Sequence, residues 1–136
     1  MSRFAERTSV PVARTRLQVE QTLTRYGATS FGSFSASGKT VIMFEAKNRK
    51  IKITVPMPTG DSEKDKKAAQ QRWRALLLVI KAKVESVESG IETLEEAFFA
   101  NIVMPDGMTV YEKARENVAL SYQTGKVQSL LPDYSS

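Results

Sequence analysis

The chain has 136 residues, of which 41% are hydrophobic and 26% charged, and its formal net charge is +5. It contains neither cysteine nor histidine, which excludes disulfides, thiolate metal sites, Ser-His and Cys-His dyads and most zinc sites. No apolar run is long enough to span a membrane and the first residues lack the apolar core of a signal peptide, so we expect a cytoplasmic protein. The length indicates one domain over 1–136, with an N-terminal arm at 1–13 and a C-terminal tail at 126–136.

The charges are distributed unevenly along the chain. Residues 1–56 carry 10 basic and 3 acidic side chains, whereas residues 85–136 carry 3 and 9. A basic first part and an acidic last part indicate one surface for a polyanion and another for a different partner. The alternative is that folding mixes the two signs on one surface.

The first predicted element is a helix over 15–26. Thr15 begins a capping-box pattern at its start. Val19 and Leu23 follow at helical spacing, and Gly27 stands where a C-cap glycine belongs.

Three predicted strands follow, at 28–36, 39–46 and 50–56. They are rich in β-branched and aromatic residues, and the third alternates strictly between apolar and polar side chains. Turn signals at Ser37-Gly38 and at 47–49 separate them. This pattern predicts a three-stranded antiparallel meander.

The rest of the chain is predicted to be helical. "TGDSEKDKKAAQQRWRALLLVIKAKVESVESG" carries one continuous apolar stripe, which predicts a long core helix capped by Asp61 or Ser62 and ended by Gly90. "IETLEEAFFANIVM" predicts a second helix whose inward residues are Ile91, Leu94, Phe98 and Ile102. "TVYEKARENVALSYQTG" predicts a last helix whose inward residues are Val110, Ala114, Val118 and either Leu120 or Tyr122. The expected fold class is therefore α+β: an N-terminal helix, a three-stranded antiparallel β-meander, then a long core helix and two shorter helices.

Two stretches imitate catalytic motifs without meeting their requirements. "FGSFSASGKT" ends like a P-loop, but the position of the first required glycine holds Ser33, and a strand-like run follows Thr40 where a helix should begin. Glu45-Ala46-Lys47 resembles part of a nuclease motif, yet no Asp precedes position 61 to supply the earlier metal ligand. We therefore expect neither an ATPase nor a nuclease, and no catalytic residue, metal or cofactor.

The open face of the predicted sheet carries the clearest functional signal. Side chains alternate along a strand, so Lys50 and Lys52 point away from the apolar residues that face the core. Phe31 and Phe34 are three residues apart and point to opposite faces, which places one ring beside these lysines. Such a face suits single-stranded nucleic acid, because bases stack on rings at about 1–3 kcal/mol per base while lysines follow the phosphates.

The candidate contacts fall into two groups, phosphate contacts and stacking rings. Trp73 is predicted to belong to the core and not to either group. Phosphate would be neutralised by Lys39, Lys47, Arg49, Lys50 and Lys52, with Arg72 and Arg74 beside Trp73 extending the basic track, and bases would stack on Phe31 or Phe34. The alternative is that the ring packs under the first helix or a subunit partner, and that the lysines only keep a sheet edge soluble.

Two segments, "MSRFAERTSVPVARTRLQVEQTLTRYGATSF" and "QRWRALLLVIKAKVESVESGIETLEEAFFANIVMPDGMTV", resemble a family of small phage and prophage proteins. This resemblance covers most of the chain and is weakest across 36–66. In size, basic charge and β-then-α layout the chain is also similar to the single-stranded-DNA-binding RNA polymerase cofactor of certain lytic phages.

The second resemblance implies a non-enzymatic protein in the cytoplasm of the infected host cell. It would bind single-stranded DNA with little sequence preference and recruit a phage RNA polymerase to melted promoters, or act with a replication protein. We also expect a homo-oligomer and no membrane contact. Two other functions stay open: a phage effector that binds a protein complex without touching nucleic acid, and a virion structural subunit.

Overall fold

The computed structural model describes residues 10–131. The elements are α1 (Val10–Tyr26), β1 (Ser30–Ala36), β2 (Lys39–Ala46), β3 (Arg49–Pro56), α2 (Glu63–Glu88), α3 (Leu94–Ala97), a 3-10 turn (Phe99–Asn101) and α4 (Val110–Thr124). This order confirms the predicted α+β fold class. Residues 1–9 of the predicted arm and 132–136 of the predicted tail lie outside the described residues. Within residues 10–131, no helix combines the length and the apolar character needed to cross a membrane.

The three strands form an antiparallel sheet in the order β1-β2-β3, as predicted. A two-residue turn, Lys47-Asn48, joins β2 to β3, and both residues have positive φ angles, 48° and 61°. Two successive positive φ values define the type I′ turn, whose twist matches that of the flanking strands. The turn fixes the register of β2 against β3 and therefore the face on which each side chain lies.

The core lies between the inner face of the sheet and the long helix α2. Trp73 and Ile80 of α2 are buried in one cluster with Ile42, Phe44 and Ile51 of the sheet. The core role predicted for Trp73 is thus confirmed. Burial of each of these large side chains contributes about 1.5–3 kcal/mol, so this cluster holds the sheet against the helical layer.

The ends of α2 follow the predicted signals. Ser62 is the N-cap: its side chain accepts a hydrogen bond from the N–H of Asp65, and the Asp65 carboxylate accepts one from the N–H of Ser62. This reciprocal pair satisfies two of the N–H groups that a helix start leaves open. At the other end Gly90 has a φ angle of 81°, a conformation that stops the helix and that glycine adopts without strain.

The predicted start of the first helix is wrong. α1 begins at Val10, so Val10–Ala13 belong to the helix and not to an arm. Thr15 lies inside the helix, where its hydroxyl donates to the carbonyl oxygen of Pro11 at 3.0 Å. The physical reason is Pro11: a proline in the first turn needs no N–H partner and has the φ angle of a helix already set.

The predicted second helix is mostly replaced by other structure. Only Leu94–Ala97 is α-helical, and the 3-10 turn follows it directly. Leu94, Phe98 and Ile102 are buried as predicted, but Ile91 is 78% exposed. The helix ends early because Ile102 pairs with Ile51 as an antiparallel bridge, which requires an extended backbone.

The N-terminal part of the last helix α4 packs against the 3-10 turn and the core, whereas its far half contacts the segment that follows it, where the N–H of Gln128 donates to the Ser121 hydroxyl. Val110 and Ala114 are buried as predicted, and Lys113 is buried as well. The prediction that Val118 and either Leu120 or Tyr122 point inward is wrong, because all three are exposed, Tyr122 at 89%. The far half of α4 is bonded to the following segment, since the Asn117 side chain donates to the carbonyl oxygen of Ser129, but its apolar side chains remain exposed.

Candidate functional site

The sheet has an outer face that no helix of the described residues covers. The strand register and the alternation of side chains assign to it Ser30, Gly32, Phe34 and Ala36 of β1, Lys39, Val41, Met43 and Glu45 of β2, and Lys50, Lys52, Thr54 and Pro56 of β3. The residues between them, such as Ile42, Phe44 and Ile51, face α2 and are buried. We call this set the outer face.

An apolar patch lies across the outer face. Phe34 pairs with Val41 across β1 and β2, and Met43 lies two residues further along β2. The Phe34 side chain is 63% exposed and Met43 is 40% exposed. Phe34 is therefore the ring on the open side, and Phe31, directly opposite buried Phe44, packs against the core. An uncovered ring beside a flexible thioether is a surface on which a flat apolar group can stack.

Lys39, Lys50 and Lys52 flank this patch on two sides. Lys52 lies directly across the strands from Met43, and Lys39 lies at the start of β2, one outer-face step from Val41. Lys39 and Lys50 are exposed, whereas Lys52 is half-buried. The structure thus brings three of the predicted phosphate-contacting lysines and one of the two predicted rings onto a single surface.

Two carboxylates reduce the net positive charge of this surface. Glu45, on the outer face, is directly opposite Lys50. Glu112, in the first turn of α4, lies near enough to Lys52 for the ammonium to help lower the pKa of its carboxyl, after the larger effect of the hydrogen bonds from Thr109. The sequence prediction missed Glu45, although its position in the alternation of β2 places it with Met43 and not with Phe44.

The other predicted contacts lie elsewhere. Lys47, in the β2–β3 turn, sits over the Tyr26 ring at 5.9 Å from its centroid. Arg49 pairs with Glu95, with 3.5 Å between Nε and Oε2, so its charge is already matched. Arg72 and Arg74 are exposed on α2 beside buried Trp73, in the helical layer behind the sheet. They do not extend the basic track of the outer face.

A shallow groove continues the outer face past Lys50. It has a volume of about 410 Å³ and runs between Glu45, Asn48 and Lys50 on the sheet side and the 103–107 loop on the other. The loop is held in place by the N–H of Val103, which donates to the carbonyl oxygen of Lys50 at 2.8 Å. The groove is open, so it extends the surface without closing into a pocket.

A small cavity near the start of α2 is a weaker candidate. Its volume is about 80 Å³, and Trp73, Asp65 and Lys66 are among its lining residues. Clefts that hold drug-sized ligands are several times larger, roughly 300–1,000 Å³. In the part of the chain from 10 to 131, no three acidic, histidine or cysteine side chains come together where they could hold a metal ion.

Comparison with known proteins adds no relative. No family model, no curated protein and no solved structure matches the chain.

Proposed function

We propose that the outer face binds single-stranded DNA with little sequence preference. The observation that carries this proposal is the exposed ring of Phe34, which shares one uncovered sheet face with Lys39, Lys50 and Lys52. An unpaired base can stack on the ring, and the lysines can neutralise the phosphates on either side of it. Stacking needs only the flat face of a base, so the binding tolerates sequence changes.

The geometry favours a single strand over a duplex. Duplex DNA is read by a helix or a two-stranded ribbon that enters a groove, whereas bases within a duplex expose only their edges. The outer face is a three-stranded surface whose exposed Phe34 ring offers a stacking partner and not an edge contact. The resemblance described above supplies the biological role: a transcription cofactor that brings a phage RNA polymerase to melted promoters, or a protein of replication.

The test is fluorescence anisotropy of a labelled single-stranded oligonucleotide and of the matched duplex, each at two salt concentrations. We expect salt-sensitive binding that prefers the single strand. Phe34→Ala should weaken it by about 1–3 kcal/mol, or about 5- to 150-fold. The matched control is Tyr122→Ala, which removes an exposed ring from α4 and should leave binding unchanged. Equal binding of the Phe34 variant and the unaltered protein would refute the stacking role.

A second candidate function is recognition of a protein through α4, and the exposed far half of that helix favours it. Tyr111, Val118 and Tyr122 are exposed and lie on one side of α4, at positions i, i+7 and i+11, with Arg115 between them. Exposed rings and a flanking arginine are enriched at protein interfaces. This surface fits either the polymerase contact of the first proposal or an effector that binds no nucleic acid.

Substitutions on the two surfaces distinguish the two candidate functions. Val118→Ser with Tyr122→Ala should abolish capture of a protein partner from infected cells and leave oligonucleotide binding intact. A charge reversal at Lys52 should have the opposite effect. If the Lys52 variant and the unaltered protein act equally in infected cells and neither binds oligonucleotide, the effector function replaces the nucleic-acid function.

A further inference from the structure

The two edge strands of the sheet, β3 and β1, differ in the hydrogen bonding of their outward-directed backbone groups. At the β3 edge, the carbonyl oxygens of Lys50 and Lys52 accept hydrogen bonds from the N–H of Val103 and the side-chain amide of Asn101, at 2.8 and 3.1 Å. This edge is therefore covered by the chain itself. At the β1 edge, the described residues form no such ladder, since β1 pairs only with β2 among them.

The exposed groups on the β1 edge can be identified from the ladder. Ala36 and Lys39 flank the two-residue Ser37-Gly38 turn and so form a hydrogen-bonded pair, after which the pairs alternate. Phe31, Ser33 and Ser35 consequently direct their N–H and C=O groups away from β2. The covered β3 edge shows the same alternation of outward-directed groups, because the carbonyls bonded there belong to Lys50 and Lys52, two residues apart.

β1 lacks the charged residues and prolines that usually prevent edge pairing. Its sequence, "SFGSFSA", contains no charged residue and no proline, and its seven residues form an unbroken ladder with β2. Ser33 and Ser35 are exposed although they lie on the inner side, so the helical layer covers this part of the strand only partly, with Ser35 at the small cavity that Val12 and Trp73 also line. Polar backbone groups on an uncharged edge that no described strand pairs are a template for another strand.

We propose that two copies of this chain pair antiparallel through their β1 strands, about a two-fold axis at Ser33. This register is the one that aligns all seven residues of β1 and places every outward-directed residue opposite another: Ser33 opposite Ser33 of the second copy, and Phe31 opposite its Ser35. It joins the two sheets into one of six strands. A two-fold contact uses the same patch on both copies, which suits a strand paired with itself.

Pairing in this register enlarges the outer face and brings a second ring to it. Phe34 of each copy lies opposite Gly32 of the other, so the two rings become diagonal neighbours about 7–8 Å apart. Gly32 leaves the space beside each ring open to a base. The Lys52 side chains then mark the two ends of a strip that spans five strand spacings, about 24 Å. This enlarged binding surface rests on the proposed function, whereas the pairing itself does not.

The absence of cysteine from the sequence allows a direct test. In this register the Ser33 Cα atoms of two copies are about 5.5 Å apart, within the range that a disulfide bridges. Ser33→Cys should therefore cross-link to itself under mild oxidation. The control is Ser30→Cys, also exposed and on β1, which would face Ala36 of the second copy and should not cross-link. Equal cross-linking of the two variants would overturn the proposed register.

A second test uses charge at the two-fold axis and needs no nucleic acid. Sedimentation of the unaltered protein should give a dimer. Ser33→Lys and Ser33→Glu should each be monomeric, because like charges would face each other, and an equal mixture should recover the dimer. Circular dichroism confirms that each variant is folded. A monomeric unaltered protein, or dimers of both variants alone, would overturn the pairing.

Anisotropy with the same variants separates this inference from the proposed function. Monomeric Ser33→Lys should still bind a short single strand, but it should occlude about half as many nucleotides as the dimer. A dimer that binds no oligonucleotide would refute the proposed function and leave the pairing in place. A monomer that binds with the same occluded length as the unaltered protein would refute the joined surface.

Discussion

Replacing Lys39, Lys50 and Lys52 together by glutamine should remove most of the electrostatic part of single-strand binding. Each phosphate that a lysine neutralises releases counterion and contributes about 0.7 to the slope of log K against log salt for a single strand. Three contacts therefore account for a slope of about 2. The same relation predicts a loss of about 100-fold in affinity at 0.1 M salt, which shrinks towards zero near 1 M.

The assay is anisotropy of one labelled single strand over a series of salt concentrations, and the slope is the quantity compared. A matched control replaces Lys64, Lys67 and Lys126, which are exposed and lie away from the outer face, so the net charge falls by the same amount. If both triple variants lose affinity equally, net charge and not a local track drives the binding. If the outer-face variant keeps the slope of the unaltered protein, these lysines do not contact phosphate.

Three further predictions concern substitutions at single positions. Glu45→Gln removes the acid opposite Lys50 and should tighten single-strand binding by about threefold in the same assay. Asp106→Asn removes the ion pair with Lys113, and should lower the urea midpoint at pH 7. Because the hydrogen bond from Lys113 lowers the pKa of Asp106 below its ordinary value of 3.8, this stabilisation is present above that value and is lost as the pH falls through the folded pKa, so the two proteins should converge in acid. Asn48→Ala should destabilise by about 1–2 kcal/mol, since alanine is strained at a φ angle of 61°, while Asn48→Gly should not, and thermal unfolding distinguishes the two.

The sequence predicted the elements whose signal is local. The stripe of α2 and the Ser62 cap depend only on helical spacing and on side-chain hydrogen bonds within one turn, and both are confirmed. β2 also runs from Lys39 to Ala46 as predicted, because the two-residue turns on either side fix its ends. The alternation of β3 was enough to separate Lys50 and Lys52 from the core.

The wrong predictions concern partners that are distant in sequence. The stretch that contains Ile102 has helical spacing, but pairing with Ile51 gives the backbone a competing set of hydrogen bonds, and the extended form prevails. Val118 has the spacing of an inward residue, yet its side chain is 41% exposed. An apolar stripe shows which side of a helix avoids water; it does not show whether anything is present to cover that side.

The candidate contacts were predictable to different degrees. Phe31 and Phe34 had to lie on opposite sides, but only the register against β2, with Phe31 opposite Phe44, decides that Phe34 is the exposed ring. The sequence assigns Arg49 to the phosphate-binding residues, but in the structure it pairs with Glu95, 46 positions later in the chain. Ion pairs formed by tertiary contact are invisible to a count of charges along the chain.

Under the two proposals above, the small residues of the stretch that imitates a P-loop serve the outer face and the edge of β1. Serine and glycine around Phe34 leave its ring uncovered, which a strand of large side chains would not. The same small residues add no bulky side chain at the edge of β1 that no described strand pairs. Ring and edge nevertheless use different atoms, because Phe34 directs its N–H towards β2 and Ser33 directs its own outwards. Phe34→Ala should therefore lower the affinity for a single strand without changing the mass of the assembly. Ser33→Lys should change the mass and leave each copy able to bind. If either substitution altered both properties equally, one structural change in β1 would explain both results, and the assignment of separate roles to ring and edge would be wrong.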